Sequence, residues 1–164
     1  MKIAELTQAQ LSNLPYSSCP HCGVLTGLEP PPLGETLPAR WTLCCECLNL
    51  SILENGRLRL PTPPEIDDMS GREARGATPL QILAHAIRTA RAAPRKFHPL
   101  GGDPENLICF THEFSAFVFK NAAGDWVAAG YDRGTGVRKF QFVASRTTPL
   151  LEVKREALKR LGLV

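Results

Sequence analysis

Cys19-Pro20-His21-Cys22-Gly23 and, further along, Cys44-Cys45-Glu46-Cys47 are the stretches from which the N-terminal fold is read. Each holds two cysteines three positions apart, a spacing at which a tight turn lets both sulfurs reach one ion at about 2.3 Å. Gly23 permits the bend that turns backbone amides toward the sulfurs. Twenty-one residues separate the pairs, slightly more than is usual between metal-binding cysteine pairs. Two such turns facing each other complete a tetrahedral four-sulfur site, with Cys19, Cys22, Cys44 and Cys47 holding one Zn2+. Cys45 is the poorer ligand, because only one residue separates it from Cys47. His21 reads as an exposed side chain of the first turn. Four thiolates close the metal's shell, whereas catalytic zinc keeps a position open, so the ion is expected to be structural.

Other cysteine chemistries fit less well. The start, MKIAELTQAQ, shows no apolar export segment, so the thiols are expected to stay reduced rather than pair as disulfides. A redox pair would need a βαβ context that is missing here. An iron–sulfur centre is compatible with four cysteines but lacks the close three-cysteine spacing of ferredoxins.

The flanks suit short strands. Arg40–Leu43 reads as a strand entering the second turn and Leu48–Leu53 as an alternating strand leaving it. Asn55-Gly56 favours a two-residue hairpin turn, after which Leu58-Arg59-Leu60 returns. Pro30-Pro31-Pro32 reads as a loop between the cysteine pairs. Thr7 to Gln10 has the form of a capping box opening a short helix that ends before Pro15. On these residues, the segment 19–60 resembles a zinc ribbon. The run through Asn55-Gly56-Arg57-Leu58-Arg59-Leu60 to Pro61-Thr62-Pro63-Pro64-Glu65 is similar to small zinc-ribbon proteins of phages and bacteria. The resemblance implies a metal-stabilised fold and a host-cell cytoplasmic setting, but no defined activity. A ribbon this small buries little core, so the metal would supply folding free energy, on the order of 10 kcal/mol in zinc peptides.

The chain has 164 residues, 43% hydrophobic and 21% charged, a globular composition. No apolar run reaches the ~18 residues of a membrane span, so no membrane partner is expected. Residues 1–68 hold four basic and eight acidic residues, a net of −4, whereas 69–164 hold fifteen and eight, a net of +7. All seven Phe follow residue 96, and five of the six cysteines precede residue 48. This asymmetry predicts a ribbon module with a short N-terminal helix (1–60), a Pro/Gly-rich linker (61–78) and a basic module (79–164). Within the linker, Thr62-Pro63-Pro64-Glu65 predicts a turn or two of helix around Ile66–Met69.

The basic module reads as α+β. Thr78-Pro79-Leu80-Gln81 caps a helix over about 79–93, with Leu80, Leu83, Ala84 and Ile87 at core spacing. Strands follow at Leu107–Phe110, Ser115–Lys120, Trp126–Tyr131 and Val137–Ala144, with turns that predict an antiparallel meander. A last helix opens with Thr147 or Thr148 as cap and Pro149 at its start. Both helices are expected on one face of a three- or four-stranded sheet. The order is loosely similar to a double-stranded-RNA-binding domain. That family's Lys-Lys-x-x-Ala-Lys start to the last helix is missing, and Asp132-Arg133-Gly134 does not reproduce its loop, so none of its residues carry over.

Arg88, Arg91, Arg95, Lys96, Arg133, Arg138, Lys139 and Arg146 are the candidate phosphate or partner contacts; Arg88, Arg91 and Arg95 recur at helical spacing. The expected role is a non-enzymatic regulator that binds nucleic acid or a nucleic-acid-handling assembly. The alternative is a protein–protein adaptor or inhibitor without nucleic-acid contact. A further alternative is an enzyme using a Cys109/His112 pair, although Cys109 in an apolar strand reads first as a core residue. Oligomeric state is not legible.

Overall fold

The computed structural model describes residues 1–28 and 38–164; the Pro30-Pro31-Pro32 loop lies outside them. In chain order the elements are β1 (Ile3–Glu5), α1 (Gln8–Ser12), β2 (Tyr16–Ser18), β3 (Leu25–Gly27), β4 (Arg40–Leu43), β5 (Leu50–Glu54), β6 (Arg57–Arg59) and α2 (Pro63–Arg75). These are followed by α3 (Pro79–Ala92), β7 (Phe97–Leu100), β8 (Asp103–Phe110), β9 (Phe114–Lys120), β10 (Trp126–Asp132), β11 (Arg138–Ala144) and α4 (Leu150–Arg160). The fold is thus mixed helix and strand, with antiparallel sheets. It divides into two units, Leu14–His85 and Met1–Asn13 together with Ala86–Val164.

The division corrects the expected modules. Residues 1–13 do not belong with the cysteines: Ile3, Ala4 and Glu5 pair antiparallel with Ala144, Val143 and Phe142 of β11. Three residues of strand carry too little sequence pattern to reveal a partner almost 140 positions away. Nor is 61–78 a linker. The Thr62 N–H and hydroxyl both donate to Glu65 (2.9 and 2.8 Å), Pro sits at the helix start, and Arg72 and Arg75 occupy the last turn. These capping and dipole terms offset the cost of one internal glycine, Gly71, about 1 kcal/mol. The helix therefore runs thirteen residues.

In the Leu14–His85 unit, β2 pairs with β3, and β4, β5 and β6 form a three-stranded sheet. Asn55 and Gly56 both have positive φ (51° and 74°), as a two-residue hairpin between paired Glu54 and Arg57 requires. Ser17 Oγ accepts the Leu58 N–H at 2.9 Å, tying the first hairpin to β6. Arg59 bonds the carboxylates of Glu54 (2.7 Å) and Glu65 (2.8 Å), clamping the β5–β6 hairpin to α2. Among the described residues of this unit, the buried hydrophobics number five: Cys19, Ile52, Leu53, Met69 and Ala84.

The other unit is a six-stranded sheet in the order β1-β11-β10-β9-β8-β7, each pair antiparallel. Its Trp126, Ala128, Phe140, Phe142 and Val118 pack with Val153 and Ala157 of α4 and with Leu161, which caps it, in one core cluster. Strand alternation sends Ile108 and Phe110 to the opposite face. Arg91 of α3 lies over the Phe110 ring there, 5.1 Å from its centroid. The two helices therefore do not share a face, as the sequence had suggested; a sheet with Phe117 and Phe119 on one side and Phe140 and Phe142 on the other has apolar area to cover on both. Its two extra strands, β1 and β7, are short edges that periodicity missed. The start of α4 also differs: Pro149 occupies the cap position without a side-chain cap bond, and the Thr147 hydroxyl pairs with that of Ser145 instead (3.0 Å).

Candidate metal centre and basic surface

The two cysteine turns are built alike, bond for bond. Gly23 N–H donates to Cys19 O and Leu48 N–H to Cys44 O, both at 2.9 Å. Cys19 N–H donates to Val24 O (2.8 Å) and Cys44 N–H to Asn49 O (3.1 Å). After each second cysteine the chain enters the left-handed region, at Gly23 (φ 82°) and at Leu48 (φ 60°). That conformation is natural for glycine and costs a leucine roughly 1 kcal/mol. The bend aims the amides of Val24 and Asn49 at the sulfurs of Cys22 and Cys47.

The turns bring four sulfurs together. The Sγ atoms of Cys19, Cys22, Cys44 and Cys47 all lie within 4.8 Å of one another. Cys19 and Cys47 stand 3.8 Å apart, and Cys22 and Cys44 3.7 Å. Four sulfurs arranged tetrahedrally at about 2.3 Å from an ion are about 3.8 Å from each other. A disulfide would need about 2.0 Å. The donor set and its spacing therefore fit a metal ion, and this is the one such His/Cys/Asp/Glu cluster among the described residues.

The thiols of Cys22, Cys44 and Cys47 do not share one protonation tendency. Burial pushes the Cys44 thiol far up and the Cys22 thiol up. At Cys47 burial acts the same way, but the Asn49 N–H and side chain, with the thiols of Cys44 and Cys19, outweigh it and bring the thiol down to about 7. A coordinated cation deprotonates its thiols outright, which is how such a cluster would lose its remaining protons.

His21 is placed by a different bond. Its Nε2 lies 2.8 Å from Leu50 O, joining the first turn to β5. The ring braces the two halves of the centre and is not among the four clustered ligands. Cys45 also lies outside the four.

The eight basic residues predicted as a contact surface all fall in the sheet unit, but in two sorts. Arg91 and Arg133 both lie over the Phe110 ring, each 5.1 Å from its centroid, and Arg133 Nη1 donates to Thr111 O at 2.8 Å. Arg138 lies over Tyr131 (5.2 Å) and bonds Gln141. These three are half-buried and engaged within the unit. Arg88, Arg95, Lys96, Lys139 and Arg146 are exposed. Arg95 does not continue the helical row of Arg88 and Arg91, because α3 ends at Ala92 and Arg95 sits at φ 69° beyond Pro94.

Cys109 is fully buried between Phe97 and Ala116, and burial raises its thiol to about 11. A sealed, protonated thiol is not presented as a nucleophile. His98, from the same stretch, places Nε2 2.7 Å from Ala93 O and braces the exit from α3. What the sequence reading missed is a cleft of about 390 Å3 beside His112 and Glu113, lined on its other side by Leu161 and Leu163.

Compared with known proteins, the chain matches no family model, no curated protein and no solved structure. No described helix is long and apolar enough to cross a membrane.

Proposed function

We propose that the chain is a non-enzymatic zinc-ribbon protein, its cysteine unit held by one structural Zn2+ and its basic unit binding nucleic acid or an assembly that handles it. The observation that carries the metal half is the convergence of four sulfurs at tetrahedral spacing in a unit whose described residues include five buried hydrophobics. A core that small does not offset chain entropy alone, and metal binding is folding free energy in such units. Four thiolates select Zn2+ over harder ions and leave no position for substrate.

Charge supports the second half. The sheet unit carries fourteen Lys and Arg against eight Asp and Glu, a net of +6. The cysteine unit carries five against eight, a net of −3, and a Zn(Cys)4 centre would add two further negative charges. Exposed cations on the first suit phosphates. The acidic second unit suits a basic protein surface, which also favours the adaptor reading. Regulation of a transcription or DNA-processing machine in a phage-infected cell's cytoplasm would combine both.

Two measurements test this. Elemental analysis of purified protein should find one zinc per chain; none would remove the first half. Anisotropy titrations with labelled DNA and RNA should show affinity falling steeply with salt; no binding even at low salt would leave the adaptor reading.

A further inference from the structure

We propose that the cleft at the β8–β9 turn is a pocket for a single unpaired nucleobase with its phosphate held at the rim. The inference rests on the nucleic-acid reading and narrows it to unpaired nucleotides. The cleft measures about 390 Å3 and is lined by Arg95, Glu113, Phe114, Leu161 and Leu163 among others, a size at the lower end of small-ligand sites. Its floor is apolar: Leu161 is in the core, and Phe114 and Leu163 pack against it half-buried. Cations stand at Arg95 in its lining and at Lys139 over Phe114. Arg95 is exposed, held left-handed (φ 69°) with its N–H bound to Phe110 O at 2.8 Å. Lys96 follows it, and Lys139 Nζ lies 5.6 Å from the Phe114 ring.

Glu113 decides the ligand class. Its backbone carbonyl accepts the Arg133 N–H, while its side chain is exposed at the cleft. A fatty or aromatic acid entering this cleft would bring its carboxylate against Glu113. A nucleobase does the reverse: its ring takes the place of the Lys139 ammonium over Phe114 and lies against the leucines, its amino edge donates to the Glu113 carboxylate, and its negative charge stays outside with Arg95 and the displaced Lys139. A paired base has that edge occupied and its faces stacked, so duplex does not enter.

The shared chemistry could come from a strand or from a free nucleotide. The test is anisotropy with a 12-nucleotide single strand and the matching duplex, alongside calorimetry with the four nucleoside monophosphates. Wild-type protein should bind the single strand at least tenfold more tightly. Phe114→Leu, which keeps apolar volume, and Glu113→Gln should each weaken single-strand binding about 5- to 100-fold and leave duplex binding unchanged. Glu113→Gln should also erase a preference for amino-bearing bases over thymine. Thermal melts of both variants establish that they are folded. A monophosphate binding as tightly as the strand, and losing affinity in the same variants, supports the cleft with a free nucleotide as its source. Equal binding of duplex, or variants that bind the strand like wild type, overturns the pocket while leaving the nucleic-acid reading standing. No binding of any of these ligands overturns both.

Discussion

Replacing Gly130 with alanine isolates one packing contact in the sheet unit. Gly130 lies on β10 between Ala116 and Phe140, and the register slips between it and Tyr131. Its backbone is not left-handed, so the cost of a side chain is purely steric. A Cβ there would stand 2.2 Å from Phe140 Cε1 and 2.8 Å from Cδ1 and Cζ. The ring has little room to retreat: Phe140 is 5% exposed, stacked on Phe142 with centroids 6.1 Å apart, in the same cluster as Val153 and Ala157 of α4. Overpacking costs about 1–3 kcal/mol, and an overlap this deep belongs near the upper end. For a unit of this size each kcal/mol lowers Tm by about 4–8 °C. Calorimetry of Gly130→Ala should show the sheet unit's transition falling by roughly 8–20 °C on that scale, with metal content unchanged. Phe140→Leu should be mildly destabilising in the wild type yet restore stability to Gly130→Ala, a non-additive pair. A loss under about 0.5 kcal/mol, the scatter of neutral surface changes, or strict additivity with Phe140→Leu would refute the contact.

His21→Ala should keep one metal per chain while lowering the cysteine unit's stability by about 1 kcal/mol, the net worth of the bond to Leu50 O; loss of metal by elemental analysis would make His21 a ligand instead. Leu48→Gly should stabilise the second turn by up to about 1 kcal/mol, read as slower metal loss to a chelator, and Gly23→Ala, with open space around it, should cost a similar amount through backbone alone. Arg59, followed by Thr62, holds the Glu65 carboxyl down to about 2. Its folded value lies below its unfolded one, so the contribution is complete above about pH 4.3 and is lost as pH falls toward 2. Urea melts of Glu65→Gln and wild type should therefore differ slightly at pH 7, since the pair is solvent-screened, and converge as pH falls through 2.

How much of this was legible in the sequence depended on how local the signal is. Cys19, Cys22, Cys44 and Cys47 were readable because ligand spacing is a constraint within four residues, and the four sulfurs meet as that spacing requires. Asn55-Gly56, the Thr7 and Thr78 capping boxes and the four strands from Leu107 to Ala144 were readable for the same reason. Failures came where a non-local partner decides. Ile3–Glu5 becomes a strand only because β11 offers an edge. The Arg88-Arg91-Arg95 row broke because Arg95, left-handed beyond Pro94, gives its N–H to Phe110 O of β8 rather than continuing α3. The cleft beside Glu113 joins a turn near residue 112 to the C-terminal leucines, a proximity no spacing rule encodes.

On the proposed metal site, the chain order has a second consequence. Ile3–Glu5 pair with β11 and residues 1–13 belong to the sheet unit, so Leu14–His85 is an insertion within that unit's sequence rather than a domain ahead of it. Closing an unstructured loop costs entropy that grows with the logarithm of its length. A folded insertion has already met that cost through its own contacts, whereas an unfolded one imposes it on whatever joins its ends. Here one of those joints is β1, three residues on the edge of the sheet, with Glu5 paired to Arg160 of α4 as its side-chain anchor. An edge strand that short has little free energy to spare. A metal on the four cysteines, as proposed, would thus also limit how much loop entropy β1 must overcome, and the clearest sign of its loss in the sheet unit would belong at the N-terminal edge rather than in the core.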